Sequence, residues 1–140
     1  MKQINILLTL ILLLATSCNT NKDFDGIGNY FTKVEKYHQE YDTLFKEVKR
    51  YYEKNKKSVS FDEVEKGTLL FELMLKLNID GATTYGGTKT QLVFKRLYAN
   101  QDYGLSISKD FSKYTQDTLT DRFMIKQIDS VFVLFAEKDS

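Results

Sequence analysis

Ala82-Thr83-Thr84-Tyr85-Gly86-Gly87-Thr88-Lys89-Thr90-Gln91-Leu92-Val93-Phe94-Lys95-Arg96-Leu97-Tyr98 is where the chain changes its rhythm. From Ala82 onward Thr, Tyr, Val and Phe dominate, types that suit a pleated, half-buried surface. Gly86-Gly87 supplies the positive φ angles that a tight hairpin requires. Strands are therefore expected at 82–86 and 88–98. A turn at Ala99-Asn100-Gln101-Asp102 leads into a third strand at 103–108. Residues 109–120 are polar and irregular. Arg122 to Ile128 and Val131 to Ala136 read as a last hairpin around Asp129-Ser130, with one long bent strand as the alternative. Val131 to Ala136 contains no polar residue, as expected of a central strand covered on both faces or of a strand in a contact between copies.

Working back from this region, the period is helical. Tyr30, Val34, Tyr37, Tyr41, Leu44, Val48 and Tyr51 follow one another at steps of four and three, which predicts one helix of about six turns with a buried stripe, capped by Asn29. Phe31, Phe45 and Tyr52 widen that stripe into a face that docks on the rest of the domain. Lys54-Asn55-Lys56-Lys57 closes the helix where its dipole is negative. Ser60 and Glu63 are spaced as a capping box and open a second predicted helix running to about Asn78, with Gly81 as its stop. Between Leu69 and Leu77 seven of nine residues are apolar, so burial on most sides is expected. Gly67 suggests a kink in its first turns. Two N-terminal helices followed by strands make an α+β fold, the helices packed on a four- to five-stranded antiparallel sheet. The expected organisation is a signal peptide at 1–17, a lipidated N-terminus and flexible tether at 18–28, and a single domain at 29–140.

Composition narrows the function. Lys and Arg number 20 against 19 Asp and Glu, and without Lys2 the two balance. A neutral domain lacks the clustered basic surface of a nucleic-acid binder. One His, one Cys and no Pro or Trp leave no material for His-rich or CxxC metal sites or for a disulfide scaffold; no cofactor is expected. The nine tyrosines and ten phenylalanines all follow residue 18, enough for a core.

Lys2 and the apolar run from Ile4 to Ala15 have the layout of an export signal. The run is too short for the roughly 20 residues that span a bilayer. It ends in Leu14-Ala15-Thr16-Ser17-Cys18, which resembles the lipobox of bacterial lipoproteins. Ser17 fits the position before the cut, and Ala15 stands where leucine is commonest. The resemblance covers residues 1–18 only. It implies cleavage between Ser17 and Cys18, a diacylglycerol thioether on Cys18, and acylation of the freed amine. Several acyl chains at about 0.8 kcal/mol per buried CH₂ hold a protein firmly, so the expected location is the envelope. With Asn19 in place of the aspartate that favours inner-membrane retention in enteric members of that family, the resemblance implies the outer membrane. Lys22-Asp23-Phe24-Asp25 resembles the short acidic tether that sends some bacterial lipoproteins to the cell surface, although a solvated linker accounts for it better, so the domain is expected to face the periplasm or the cell surface.

No catalytic constellation stands out. His38 lies between Glu35 and Asp42 at helical spacing but toward the polar side, and no G-x-S-x-G elbow presents a serine to it. Asp62, Glu63 and Glu65 complement a helix N-terminus. Asp117 and Asp121 do not have EF-hand spacing, and Gly86-Gly87 suits a hairpin better than a phosphate cradle. Tyr85, Tyr98 and Tyr103 could share a sheet face as a platform for sugar or peptide, although buried cross-strand pairing accounts for them better. The leading expectation is a non-enzymatic, lipid-anchored envelope module that binds a protein or glycan through its sheet face or an edge strand. A lipoprotein inhibitor or immunity factor using residues 109–120 is second, and a small hydrolase third.

Overall fold

The computed structural model describes residues 24, 26–85, 89–96, 101–109 and 117–139. The long apolar stripe is divided into two helices, α1 (Ile27–Lys36) and α2 (His38–Asn55), by Tyr37, whose backbone leaves helical geometry at φ −113°, ψ 34°. The stripe keeps its phase across this break. Tyr30 and Val34 of α1 and Tyr41, Leu44, Phe45 and Val48 of α2 are all buried, so periodicity alone could not register it. The cap of α1 is Gly26, at φ 83°, in place of Asn29. Phe24, expected in the tether, is buried edge-on against Tyr103. The ordered body thus reaches further toward the N-terminus than residue 29.

The second predicted helix is also shorter than its pattern. Ser60 makes no side-chain cap bond, and Glu63 pairs with Lys57 at 2.7 Å instead, so no capping box forms. Residues Phe61–Glu63 make a single 3₁₀ turn, and Gly67 at φ 81° lies before the true helix, α3 (Leu69–Leu77). The cap is Thr68, whose Oγ1 accepts the N–H of Phe71 at 3.2 Å, satisfying one of the donors that a helix start leaves open. The stop is Asn78 in the left-handed region at φ 61°. Contrary to the expectation of burial on most sides, α3 buries Leu70, Leu73, Met74 and Leu77 against α2 and the sheet and stacks Phe71 on Phe61 of the 3₁₀ turn, while Leu69 and Leu75 remain exposed.

The sheet has seven antiparallel strands: β1 (Val59–Ser60), β2 (Ile79–Tyr85), β3 (Lys89–Phe94), β4 (Tyr103–Lys109), β5 (Thr118–Leu119), β6 (Phe123–Gln127) and β7 (Phe132–Lys138). Their spatial order is β1-β2-β3-β4-β7-β6-β5. Three helices and seven strands replace the expected two and four or five. Both additional strands are two-residue edge strands, too short to leave a periodic signal, and short edges are a common protection against pairing with other chains. Gly81 admits β1: a Cβ there would stand 3.1 Å from the Val59 carbonyl oxygen. Phe123–Gln127 and Phe132–Lys138 pair as a hairpin, which excludes the single bent strand. Gly86-Gly87 lies outside the described residues, but Tyr85 and Lys89 face each other on either side of it.

The helices cover one face of the sheet. There Leu92, Ile107 and Leu134 follow one another across β3, β4 and β7, each fully buried. Phe132 stacks on Phe45 and meets Tyr41 edge-on.

Candidate functional site

Side chains alternate between the faces of a strand, so the residues between those core positions form a second surface. Val93, Ser106, Phe135 and Ile125 stand opposite one another across β3, β4, β7 and β6, and Gln91, Ser108, Val133 and Gln127 make the next row. No described helix lies on this face. Ile125 and Val133 are only 5% and 6% exposed, yet they do not belong to the cluster formed by the other buried hydrophobic residues. On β4 this face presents Gly104, Ser106 and Ser108, a lane of small residues between bulkier neighbours on β3 and β7. A half-enclosed cavity of about 330 Å³ results, lined by Tyr85, Lys89, Gln91, Ser108, Ile125, Val133 and Phe135 among others. The depression continues past Gln91 and Phe135 into a wider hollow bounded by Gly104, Arg122 and Glu137.

The polar groups of the lane are joined to one another. The Tyr85 hydroxyl donates to Gln91 Oε1 at 3.4 Å, the Gln91 amide donates to Ser106 Oγ, and Ser106 Oγ donates to the Phe135 carbonyl at 3.5 Å. Ser108 lies in the same lane, 6% exposed, and its hydroxyl has no hydrogen-bond partner among the described residues. Lys89 is the only ionisable group with a charge at neutral pH that lines the cavity among the described residues.

His38 was expected at the surface beside Glu35 and Asp42. It is partly exposed and its partner is Asp129, in the turn between β6 and β7, with His38 Nε2 2.6 Å from Asp129 Oδ2. Its ring lies 4.6 Å from that of Phe132. Asp129 Oδ1 also accepts the N–H groups of Val131 at 2.6 Å and Phe132 at 2.8 Å. Partial burial opposes ionisation of Asp129, but those two N–H donors and His38 outweigh it and hold its carboxyl below the usual range. The dyad offers no hydroxyl nucleophile, and its ring contact is with Phe132, on the helix side, away from the cavity. Asp42 is bound by Lys109 and Lys46, which together pull its pKa down to about 2. These pairs fasten α2 to the ends of β4 and β7.

The remaining sequence candidates do not converge. Ser17, Cys18, Tyr98, Gly86-Gly87 and residues 110–116 lie outside the described residues. Tyr85 is exposed on the helix-free face whereas Tyr103 is buried against Phe24, so these two tyrosines form no common platform. Asp117 accepts the Gln127 N–H at 2.9 Å. Among the described residues no group of three or more His, Cys, Asp or Glu is placed to hold a metal, and no helix is long and apolar enough to cross a membrane. Sequence reasoning did not single out Gln91, Ser106, Ser108, Ile125 or Val133. The available signal was the large-small alternation Tyr103-Gly104-Leu105-Ser106-Ile107-Ser108. Compared with protein-family models, curated proteins and solved structures, the chain matches none.

Proposed function

We propose that the chain is a lipid-anchored bacterial envelope protein that works as a non-catalytic binding module through the helix-free face of its sheet. The anchor rests on Leu14-Ala15-Thr16-Ser17-Cys18, with Cys18 as the acylated residue and the outer membrane as the favoured location. The binding role rests on one observation: the lane of Gly104, Ser106 and Ser108, whose Ser108 lines a cavity and whose Gly104 and Ser106 line the adjoining hollow, neither filled by a described helix. Concave, largely apolar sites with a few placed polar groups are the usual form of a ligand site. The helix side of the same sheet is occupied by the core and is unavailable to a partner.

Labelling with an alkyne fatty acid, followed by membrane fractionation, tests the anchor. The native chain should carry label and sediment with membranes, and Cys18→Ser should lose both. An unlabelled native chain overturns the location. Crosslinking in intact envelopes tests the face. Adducts recovered with the native chain should disappear with Ser106→Trp, which fills the lane, and should persist with Leu75→Ser on the exposed side of α3. Adducts indifferent to Ser106→Trp would place the partner elsewhere.

A further inference from the structure

We infer that the wider hollow at the Gly104 end of the helix-free face binds a short peptide with free ends. Its ammonium meets Glu137, its carboxylate meets Arg122, and an apolar side chain lies over Val93 and Phe135. This names the ligand class of the face already read as a binding surface, and rests on that reading. The hollow measures about 600 Å³, within the range of sites that take small organic ligands.

The charges select the ligand. Arg122 and Glu137 both line the hollow, and both are exposed. Neither side chain has an ion pair or a hydrogen bond among the described residues, and they do not pair with each other. The other ionisable groups of the lining are engaged: Asp139 is held by Arg96, and Lys138 has an interaction of its own. Asp121 lines a smaller depression that shares Arg122 and Glu137 with the hollow, and it adds to the attraction for an ammonium. A cation and an anion that face one hollow without closing on each other leave room for a ligand of both signs, and a guanidinium takes a carboxylate in a two-bond fork.

The space has its own cause. Gly104 stands opposite Glu137 of β7. Its φ lies outside the left-handed region, and a Cβ there would be 3.9 Å from its nearest contact, the Glu137 carbonyl oxygen. Neither backbone conformation nor crowding therefore calls for glycine, which weakens a strand interior; what its smallness supplies is the floor of the hollow. Beside it the Ser106 hydroxyl is bound between Gln91 and the Phe135 carbonyl, so an apolar group laid over it strands no donor. Val93 is 39% exposed and Phe135 is stacked on Phe123, which gives the peptide side chain an apolar surface.

The test uses the full chain carrying Cys18→Ser, so that no acyl chain of its own interferes. Alanylphenylalanine, titrated and followed by amide shifts, should saturate with a Kd on the order of 100 μM and perturb Gly104, Ser106 and Glu137. N-acetylation of the dipeptide and amidation of its C-terminus should each weaken binding about fivefold. Glu137→Gln should remove the penalty for acetylation and keep that for amidation, and Arg122→Gln should do the reverse, both with an unchanged unfolding midpoint. Gly104→Ile should abolish binding by filling the floor; the two exposed charge variants keep the test valid if that substitution impairs folding. Absence of saturable binding, equal binding of the blocked dipeptides, or penalties that survive both charge substitutions overturns the proposal. If the dipeptide fails while the Ser106→Trp-sensitive adducts remain, this ligand is overturned and the face binds another. If the dipeptide binds with both penalties and those adducts never form, the peptide site stands without a macromolecular partner.

Discussion

Strand β4 builds two different surfaces from alternate residues. Leu105 and Ile107 point into the helix-covered core, whereas Gly104, Ser106 and Ser108 floor the opposite face. Strand β7 repeats the division with Phe132, Leu134 and Ala136 on one side and Val133 and Phe135 on the other. Burial is similar at Leu134 and Val133, at 0% and 6% exposure, but what surrounds them is not. The helix side is packed with interlocking rings, and the other side leaves space over small residues. Low exposure alone does not distinguish a structural position from a binding position; its neighbours do.

The largest effect expected from this difference lies between adjacent residues. Phe132→Ala removes a fully buried ring that touches Tyr41, Phe45 and His38, and should cost about 3–5 kcal/mol in denaturant unfolding. Val133→Ala, one residue on, removes two carbons and should cost about 1.5 kcal/mol. Equal losses would mean that both faces carry stability alike and would remove the distinction. Against a total of about 5–15 kcal/mol, the Phe132 loss alone could leave the domain marginal.

A smaller effect is expected where polar groups join the helix layer to the sheet. Asp129→Ala deletes an acceptor for two backbone N–H groups and the partner of His38, and should cost about 2 kcal/mol. Asp129→Asn keeps an acceptor for the turn and should lose less. Both Asp129 and Asp42 have folded pKa values below their ordinary ones, Asp42 at about 2. Such groups add stability that is fully present above the unfolded value of about 3.9 and is lost as pH falls through the folded value. Unfolding midpoints should therefore hold steady from pH 7 to about 5 and decline below pH ~4. Asp42→Asn should flatten that decline. A protein equally stable at both ends of the acid range would show that these pairs add nothing to the seam.

The helix side was the more legible of the two surfaces, because its signal is repetition. Tyr30 to Val48 announced their buried face through spacing alone, the apolar run from Leu69 to Leu77 marked a helix without showing that one side of it stays exposed, and the five longer strands followed from β-branched and aromatic runs. What escaped was set by single residues or by tertiary contact. Tyr37 breaks a helix without shifting its phase, Thr68 replaces the Ser60 cap, and the two-residue strands exist only because longer neighbours receive them. The His38–Asp129 pair joins positions far apart in sequence, which no local pattern specifies. The candidate site was nearly silent because its signal is the smallness of Ser106 and Ser108, and a serine in a strand ordinarily indicates solvent. Only the register that sets them beside Val133, Phe135 and Ile125 turns smallness into a cavity.

The smallest expected effect concerns a flaw on the well-packed side. Tyr41 is fully buried between Phe94 and Phe132, and its hydroxyl has no hydrogen-bond partner among the described residues. Burial pushes that hydroxyl well above the usual phenol range, so it stays neutral throughout the working pH range. An unpaired buried hydroxyl costs about 1–3 kcal/mol relative to a satisfied one, whereas the ring supplies the packing. Tyr41→Phe keeps the ring and removes the unmet demand, so stability should be unchanged or rise by up to about 1 kcal/mol. Ser108 on the other face differs, because its hydroxyl borders an open cavity and is not an enclosed unsatisfied group. The two substitutions therefore separate the surfaces: Tyr41→Phe acts on an enclosed hydroxyl, whereas Ser108→Ala should change stability by no more than about 0.5 kcal/mol. A loss of more than about 1 kcal/mol on Tyr41→Phe would mean that the hydroxyl has a partner, such as a buried water, and that the helix side is less dry than its side chains imply.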